Sequence, residues 1–207
     1  MIRILGRSNS INVRKVLWLC EELNIPFQRE DWGKGFQSTQ GEEFIQLNPN
    51  ATIPVIIDGD FSLWQSNSII RYLANQYQGQ ALYPTQPQQR ARIDQWVDWQ
   101  AIELNNSWSY AVMHLVRHSP LHQDLELVAK SIQAWSNSMA ILEAQLEKTQ
   151  AYVVGDCFSL ADIVIGLSVQ RWMLTPFEKP ELPYIADYYA LLSQRAAYLK
   201  WGNNGQN

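Results

Sequence analysis

The stretch NPNATIPVIIDGDFSLWQSNSIIRYL, residues 48–73, constrains this chain more than any other. Asn48-Pro49-Asn50 is a polar turn, and Pro54 stands just before the apolar run Val55-Ile56-Ile57. Proline has no N–H for a strand ladder, so Pro54 must open a strand from an edge or a turn. Its peptide bond is open to either isomer, because X–Pro bonds lose most of the trans preference. Asp58-Gly59 predicts a tight hairpin, with Phe61 to Trp64 as the returning strand. Ile69, Ile70, Leu73, Ala74 and Tyr77 then recur at helical spacing. Ser66 is placed to cap that helix, whose free N–H groups and dipole favour a carboxylate. The loop before Pro54 leaves the Ile53 backbone free to pair with an extended peptide. One reading is a cradle for a small peptide-like ligand with a free carboxylate; the other is an ordinary capped helix.

The residues before this stretch supply the rest of a small α/β unit. Ile2 to Leu5 reads as a strand ending at Gly6, and Val13, Val16, Leu17, Cys20 and Leu23 share one helical face. Phe27 to Trp32 can form a second strand, 33–41 is loose and polar, and Glu42 to Leu47 is a short helix. The order is strand, helix, strand, helix, strand, strand, helix, with a right-handed crossover in its parallel first half.

NPNATIPVI followed by QSNSIIRYL resembles the glutathione-binding half of the glutathione transferase family, of bacterial, theta- or nu-like type. The resemblance implies an α/β thioredoxin-like N-terminal domain, residues 1–79, and an all-α C-terminal helical bundle domain, residues 90–207, with 80–89 as linker. It implies glutathione as co-substrate, with the Ile53 backbone pairing with its cysteinyl part and Gln65 and Ser66 holding its γ-glutamyl end. Gln65 stands where an acidic residue is more usual, and Thr52, the neighbouring candidate contact, where many relatives carry Lys or Gln.

Chemistry on a bound thiol belongs at the loop after the first strand. A thiol with a pKa of about 8.5 is only slightly ionised at neutral pH, and lowering it by about two units needs roughly 2.7 kcal/mol of preferential thiolate stabilisation. A hydroxyl, a side-chain amide or a helix N-terminus can supply part of that. Ser10 and Asn12 stand just before the predicted helix, with Ser8 further off. By resemblance, Ser10 falls at the serine position of theta- and phi-like classes and Asn12 where some bacterial relatives place an amide donor. Either can instead simply cap the helix. No cysteine lies in this loop, so no covalent nucleophile is evident and glutathione itself is expected to attack.

Beyond the Gly-, Pro- and Gln-containing segment 79–89 the pattern is wholly helical. Arg90 to Arg117 and Leu121 to Lys148 read as an antiparallel pair broken at Ser119-Pro120. His114, His118 and His122 are four apart, but Pro120 interrupts the helix and no acidic partner sits at metalloprotease spacing, so no metal is expected. Ser159 and Asp162 form a capping box, similar to that of the sixth helix in glutathione transferases, with a folding role. Tyr184 to Gln194 is a last helix, and the polar tail 203–207 is expected to fray.

The partners implied are glutathione and a small hydrophobic electrophile. By family analogy the electrophile lies between the domains, against Trp108, Tyr110, Met113, Arg117 and Trp172, with Trp32 and Phe36. A net charge of −4 without basic runs argues against nucleic acid, and no apolar run approaches a membrane span. Without an N-terminal apolar leader the expected location is cytoplasmic, and relatives suggest a detoxifying homodimer. Two other readings stay open: a non-catalytic protein-interaction module, and a glutathione-dependent disulfide reductase or peroxidase.

Overall fold

The computed structural model describes residues 1–203, and the chain forms two compact units. The first contains residues 1–85 and is built on a four-stranded sheet of order β2-β1-β3-β4. β1 (Ile2–Leu5) pairs in parallel with β2 (Phe27–Glu30) and antiparallel with β3 (Val55–Asp58), which pairs antiparallel with β4 (Phe61–Trp64). Ile4 lies opposite both Arg29 and Ile56, which places it at the centre of the sheet. α1 (Ile11–Glu22) crosses between β1 and β2 and buries Val13, Val16, Leu17, Trp18 and Cys20. α2 (Glu42–Leu47) contributes Phe44 to a cluster with Leu5, Trp32 and Val55. α3 (Ser66–Gln76) buries Ile69, Ile70, Leu73 and Ala74, the predicted face. This is the thioredoxin-like arrangement expected from the order of elements.

Local details shift by a residue or two. Asp58 pairs with Phe61, so the hairpin turn is Gly59-Asp60, one residue later than expected. Gly59, at φ +62°, supplies the positive φ that a tight hairpin turn demands. Asp58 is thereby left in the strand, where it accepts hydrogen bonds from Tyr72 and Tyr77 of the α3 segment at 2.9 and 2.8 Å. β2 ends at Glu30, whose carbonyl accepts from the Gly6 N–H at 2.8 Å, and Trp32 turns into the Phe44 cluster.

The second unit, 86–195, is helical. α4 (Pro87–Trp99) begins inside the segment read as linker. Gln86 caps it through its side-chain oxygen, and Pro87 fits the first turn because its missing N–H has no bond to make there. The predicted single helix to Arg117 is interrupted by a π-helical turn, Gln100–Leu104, before α5 (Asn105–Leu115). In that turn buried Gln100 donates to Asn105 and Ser168. α6 (Leu125–Thr149) starts four residues later than expected, because Asp124 caps it by accepting from Glu126 and Leu127. α7 (Leu160–Leu174) is the central helix, buried on nearly every side, and α8 (Pro183–Leu192) packs against it and α6. The Glu143 carboxylate of α6 accepts from the Tyr184 and Ile185 N–H groups and so caps α8.

Residues 196–203 group with the first unit. A π-helical turn, Tyr198–Gly202, packs on α1. Tyr198 stacks 4.9 Å from Trp18, Arg14 donates to the Gly202 carbonyl, and Glu21 takes Lys200 and Trp201. The Trp18–Tyr198 ring contact helps hold this turn on α1. Of the tail expected to fray, 204–207 lies outside the described residues.

Candidate active site

An open groove of about 320 Å³ lies within the first unit, lined by Arg7, Asn12, Gly33, Lys34, Thr39, Ala51, Thr52 and Ile53. Its floor is the loop before β3. The Ile53–Pro54 bond is cis, and neither the Ile53 N–H nor its carbonyl is hydrogen bonded among the described residues. Asn48, buried in this loop, sets its shape. Its amide nitrogen donates to the Thr52 carbonyl at 2.7 Å and to the Thr52 hydroxyl at 3.2 Å, while its oxygen accepts from the Asn50 N–H at 3.0 Å. Thr52, which lines the groove, is thus fixed by Asn48.

Ser66 is the first residue of α3 rather than its cap. The cap position is held by exposed Gln65, at φ +71° and ψ 107°, and the Gln65 side chain makes no capping bond. A non-glycine residue at positive φ is costly and concentrates where function demands it. This backbone turn frees the buried Ser66 hydroxyl from capping, and it donates instead to Asn12 Oδ1 at 3.3 Å. One turn along α1, buried Lys15 donates to Asn67 at 3.0 Å.

Ser10 and Asn12 also divide differently from a simple cap. Ser10 occupies the cap position of α1 with extended backbone, yet its hydroxyl makes no capping bond and has no other partner among the described residues. Asn12 lies inside the helix and lines the groove, which Ser10 and Gln65 do not. Asn12, Thr52 and Ile53 are thus brought together, and Ser66 joins them through Asn12.

Other residues of this region were not singled out from the sequence. Arg7, Gly33, Lys34, Thr39 and Ala51 line the groove, and Asn48 holds its floor. The available signals were a basic residue directly after Gly6, in the loop already singled out for chemistry, and the Asn-Pro-Asn turn. Among the described residues no carboxylate lines the groove. Glu30 is tied to Arg3 at 2.7 Å, a hydrogen bond that holds its carboxyl below the usual range, and Asp31 pairs with Arg29. Cys20 is no nucleophile for this site, because burial pushes its thiol up to about 12.

In the helical unit, Trp172 is 2% exposed and packs edge-on against Trp135 and Phe177. That makes it a core residue rather than a wall for substrate, as Trp32 is in the first unit. His114 is bonded to the His122 carbonyl and His122 to Ser119, so these two rings serve the turn between α5 and α6. Among the described residues no three His, Cys, Asp or Glu side chains are grouped to hold a metal ion. No described helix is long and apolar enough to cross a membrane.

Residues 9–76 match the glutathione S-transferase N-terminal domain and residues 105–195 the glutathione S-transferase C-terminal domain. Glutathione S-transferase GstB of Escherichia coli K12 is 34% identical over 202 residues, covering 97% of both chains. Theta-1 glutathione S-transferase of Rattus norvegicus is 30% identical over 155 residues, 73% of this chain and 65% of that one. Among solved structures, the theta class glutathione S-transferase from the citrus canker pathogen Xanthomonas axonopodis pv. citri, with glutathione bound, superposes with a TM-score of 0.90. It is 36% identical and covers 97% of this chain and 96% of that chain. Sequence motif, sheet topology and groove therefore agree, and the chain belongs to the glutathione S-transferase family.

Proposed function

We propose that this protein conjugates glutathione to small hydrophobic electrophiles, with the groove beside cis-Pro54 as the glutathione site. The observation that carries the reading is the Ile53 backbone, unpaired among the described residues, which shares one groove with Asn12 and Thr52. Ile53 clasps the cysteinyl backbone as a short strand would. Gln65 and Ser66 hold the γ-glutamyl end at the start of α3, where backbone N–H groups favour a carboxylate, and Thr52 borders the tripeptide. Ser10 donates to the thiolate and Asn12 assists it. The thiol gives its proton to solvent, and the thiolate attacks the electrophilic carbon: either the C–S bond forms as a leaving group departs with its bonding electrons, or the thiolate adds to an activated double bond and the resulting carbanion takes a proton from solvent. Residues 1–79 form the glutathione-binding domain, 80–89 the linker and 90–207 the helical domain, apart from the C-terminal turn that packs on α1. The protein works as a cytoplasmic homodimer in detoxification.

Calorimetric titration with reduced glutathione, in two buffers of different ionisation enthalpy, tests this. Binding with release of a proton near neutral pH is expected. Absence of binding at millimolar glutathione rejects the reading in favour of an interaction module, and binding without proton release makes the protein a holder of glutathione.

A further inference from the structure

Arg7 is a half-buried cation of the groove with no carboxylate partner among the described residues. Its Nε donates to the neutral side-chain oxygen of Asn9 at 2.8 Å. Acids are close in sequence at the end of β2, but they are occupied. Glu30 is held by Arg3, and Asp31 by Arg29, which also donates to the carbonyl of Gly6 at 3.2 Å. Arg7 is also confined sterically. Gly33 has φ +99°, and a Cβ there would stand 3.3 Å from Arg7 Nη1 and 3.2 Å from Ile53 Cδ1. The guanidinium and Ile53 thus pack on the same bare glycine. A partly desolvated cation without a counter-ion is costly, and an arriving anion relieves that cost.

We infer that Arg7 sets the ionisation of the bound thiol, its charge favouring the thiolate of the cysteinyl group that Ile53 clasps. The inference rests on the groove being the glutathione site. The charged groups of the groove and of the elements beside it are few. The loop after β1 brings Arg7 and the loop after β2 brings Lys34, while α1 brings Lys15, bonded to Asn67. β2 brings Arg29, paired with Asp31 just beyond the strand, and Glu30 tied to Arg3. The inventory favours negative charge in the groove. In this step the S–H bond breaks and its proton passes to solvent. The guanidinium keeps its own protons throughout, so Arg7 acts as a fixed charge and not as a base.

The test compares Arg7→Gln and Arg7→Lys in the full chain. Two quantities are followed from about pH 6 to 9, spanning the free thiol's value: the ultraviolet thiolate absorbance at saturating glutathione, and kcat/KM with an aryl halide. Arg7→Gln is expected to raise the bound thiol's pKa by about one unit, the low end for loss of a neighbouring opposite charge. Activity then falls about tenfold at the acid end and recovers at the alkaline end, KM for glutathione changes little, and Arg7→Lys restores most of the acid-side activity. A raised KM with an unchanged pH profile would make Arg7 a carboxylate anchor, and no change would make it structural; either overturns the inference. If Arg7→Gln does not fold, salt decides on the wild-type protein. A thiol ionised by a nearby charge must rise in pKa as salt screens it, and a salt-independent value overturns the inference. Failure of the wild-type protein to bind glutathione is a separate result that removes the underlying reading.

Discussion

The Ser66 hydroxyl donates to Asn12 Oδ1 at 3.3 Å, across 54 residues of sequence. This bond ties the start of α3 to the first turn of α1, and so joins the two ends of the proposed glutathione site. It also orients the Asn12 amide, whose oxygen is occupied and whose NH₂ group is the end left to donate.

Ser10 and Asn12 should therefore fail differently. Ser10→Ala removes a hydroxyl with no structural partner among the described residues. It is expected to leave folding and glutathione affinity nearly unchanged and to lower kcat at neutral pH by about 10–100-fold, the scale of one lost charge-assisted donor. Asn12→Ala also releases Ser66, so KM for glutathione should rise together with the fall in kcat. Steady-state kinetics of both variants, with the bound thiol titrated by absorbance, checks this. The reverse pattern would make Asn12 the principal thiolate donor.

Asn48 shapes the groove floor without lining the groove. Asn48→Ala leaves the Thr52 carbonyl and the Asn50 N–H without this partner, a loss of about 1–3 kcal/mol of stability. The Ile53 backbone should lose its preset geometry, with KM for glutathione rising more than kcat falls. Thermal unfolding and kinetics on one sample separate the two effects.

Asp162 is fully buried at the start of α7 and accepts from the Val153 N–H, the Ser159 N–H and hydroxyl, and the Tyr188 hydroxyl. Asp162→Ala strands these donors and should cost about 3–5 kcal/mol in a denaturant melt. Burial pushes the Asp162 carboxyl up to about 6, against the four hydrogen bonds that lower it. The native state therefore binds more protons than the unfolded state between about pH 4 and 6. This contribution to stability is full below about pH 4 and is lost as pH rises through about 6. The stability of the wild-type protein relative to Asp162→Asn should grow, by about 2 kcal/mol, as pH is lowered from 7.5 to 4.5.

Asp58 receives both Tyr72 and Tyr77 hydroxyls on one carboxylate oxygen. Desolvation first, and then these bonds, push the Tyr77 phenol up to about 12. Asp58→Ala should let Tyr77 ionise nearer the free value of about 10. It should also loosen the hairpin from the α3 segment by about 1–2 kcal/mol. An alkaline titration at the tyrosinate absorbance band, alongside a melt, checks both.

Much of the first unit was legible because its signals are local. The alternation of apolar runs with turn residues marked every strand and helix, and α2 and β4 fall on the predicted residues. The misplacements have identifiable causes. Gln86-Pro87 resembles a linker in composition yet starts a helix, since a capping side chain and a first-turn proline are both helix-start chemistry. The π-helical turn at Gln100–Leu104 was invisible, because its buried Gln100 answers to Ser168 on another helix.

Sequence alone determined the element order, the proline-opened strand and the family motif, because each depends on residues within a few positions of one another. Tertiary structure decided which polar groups meet. Gln65 takes the strained backbone so that Ser66 can reach Asn12, the C-terminal turn packs on Trp18, and Arg3 and Arg29 take the nearby acids, so that Arg7 has no carboxylate partner among the described residues. These pairings join segments distant in the chain. They depend on sheet register and helix packing, which local periodicity does not encode.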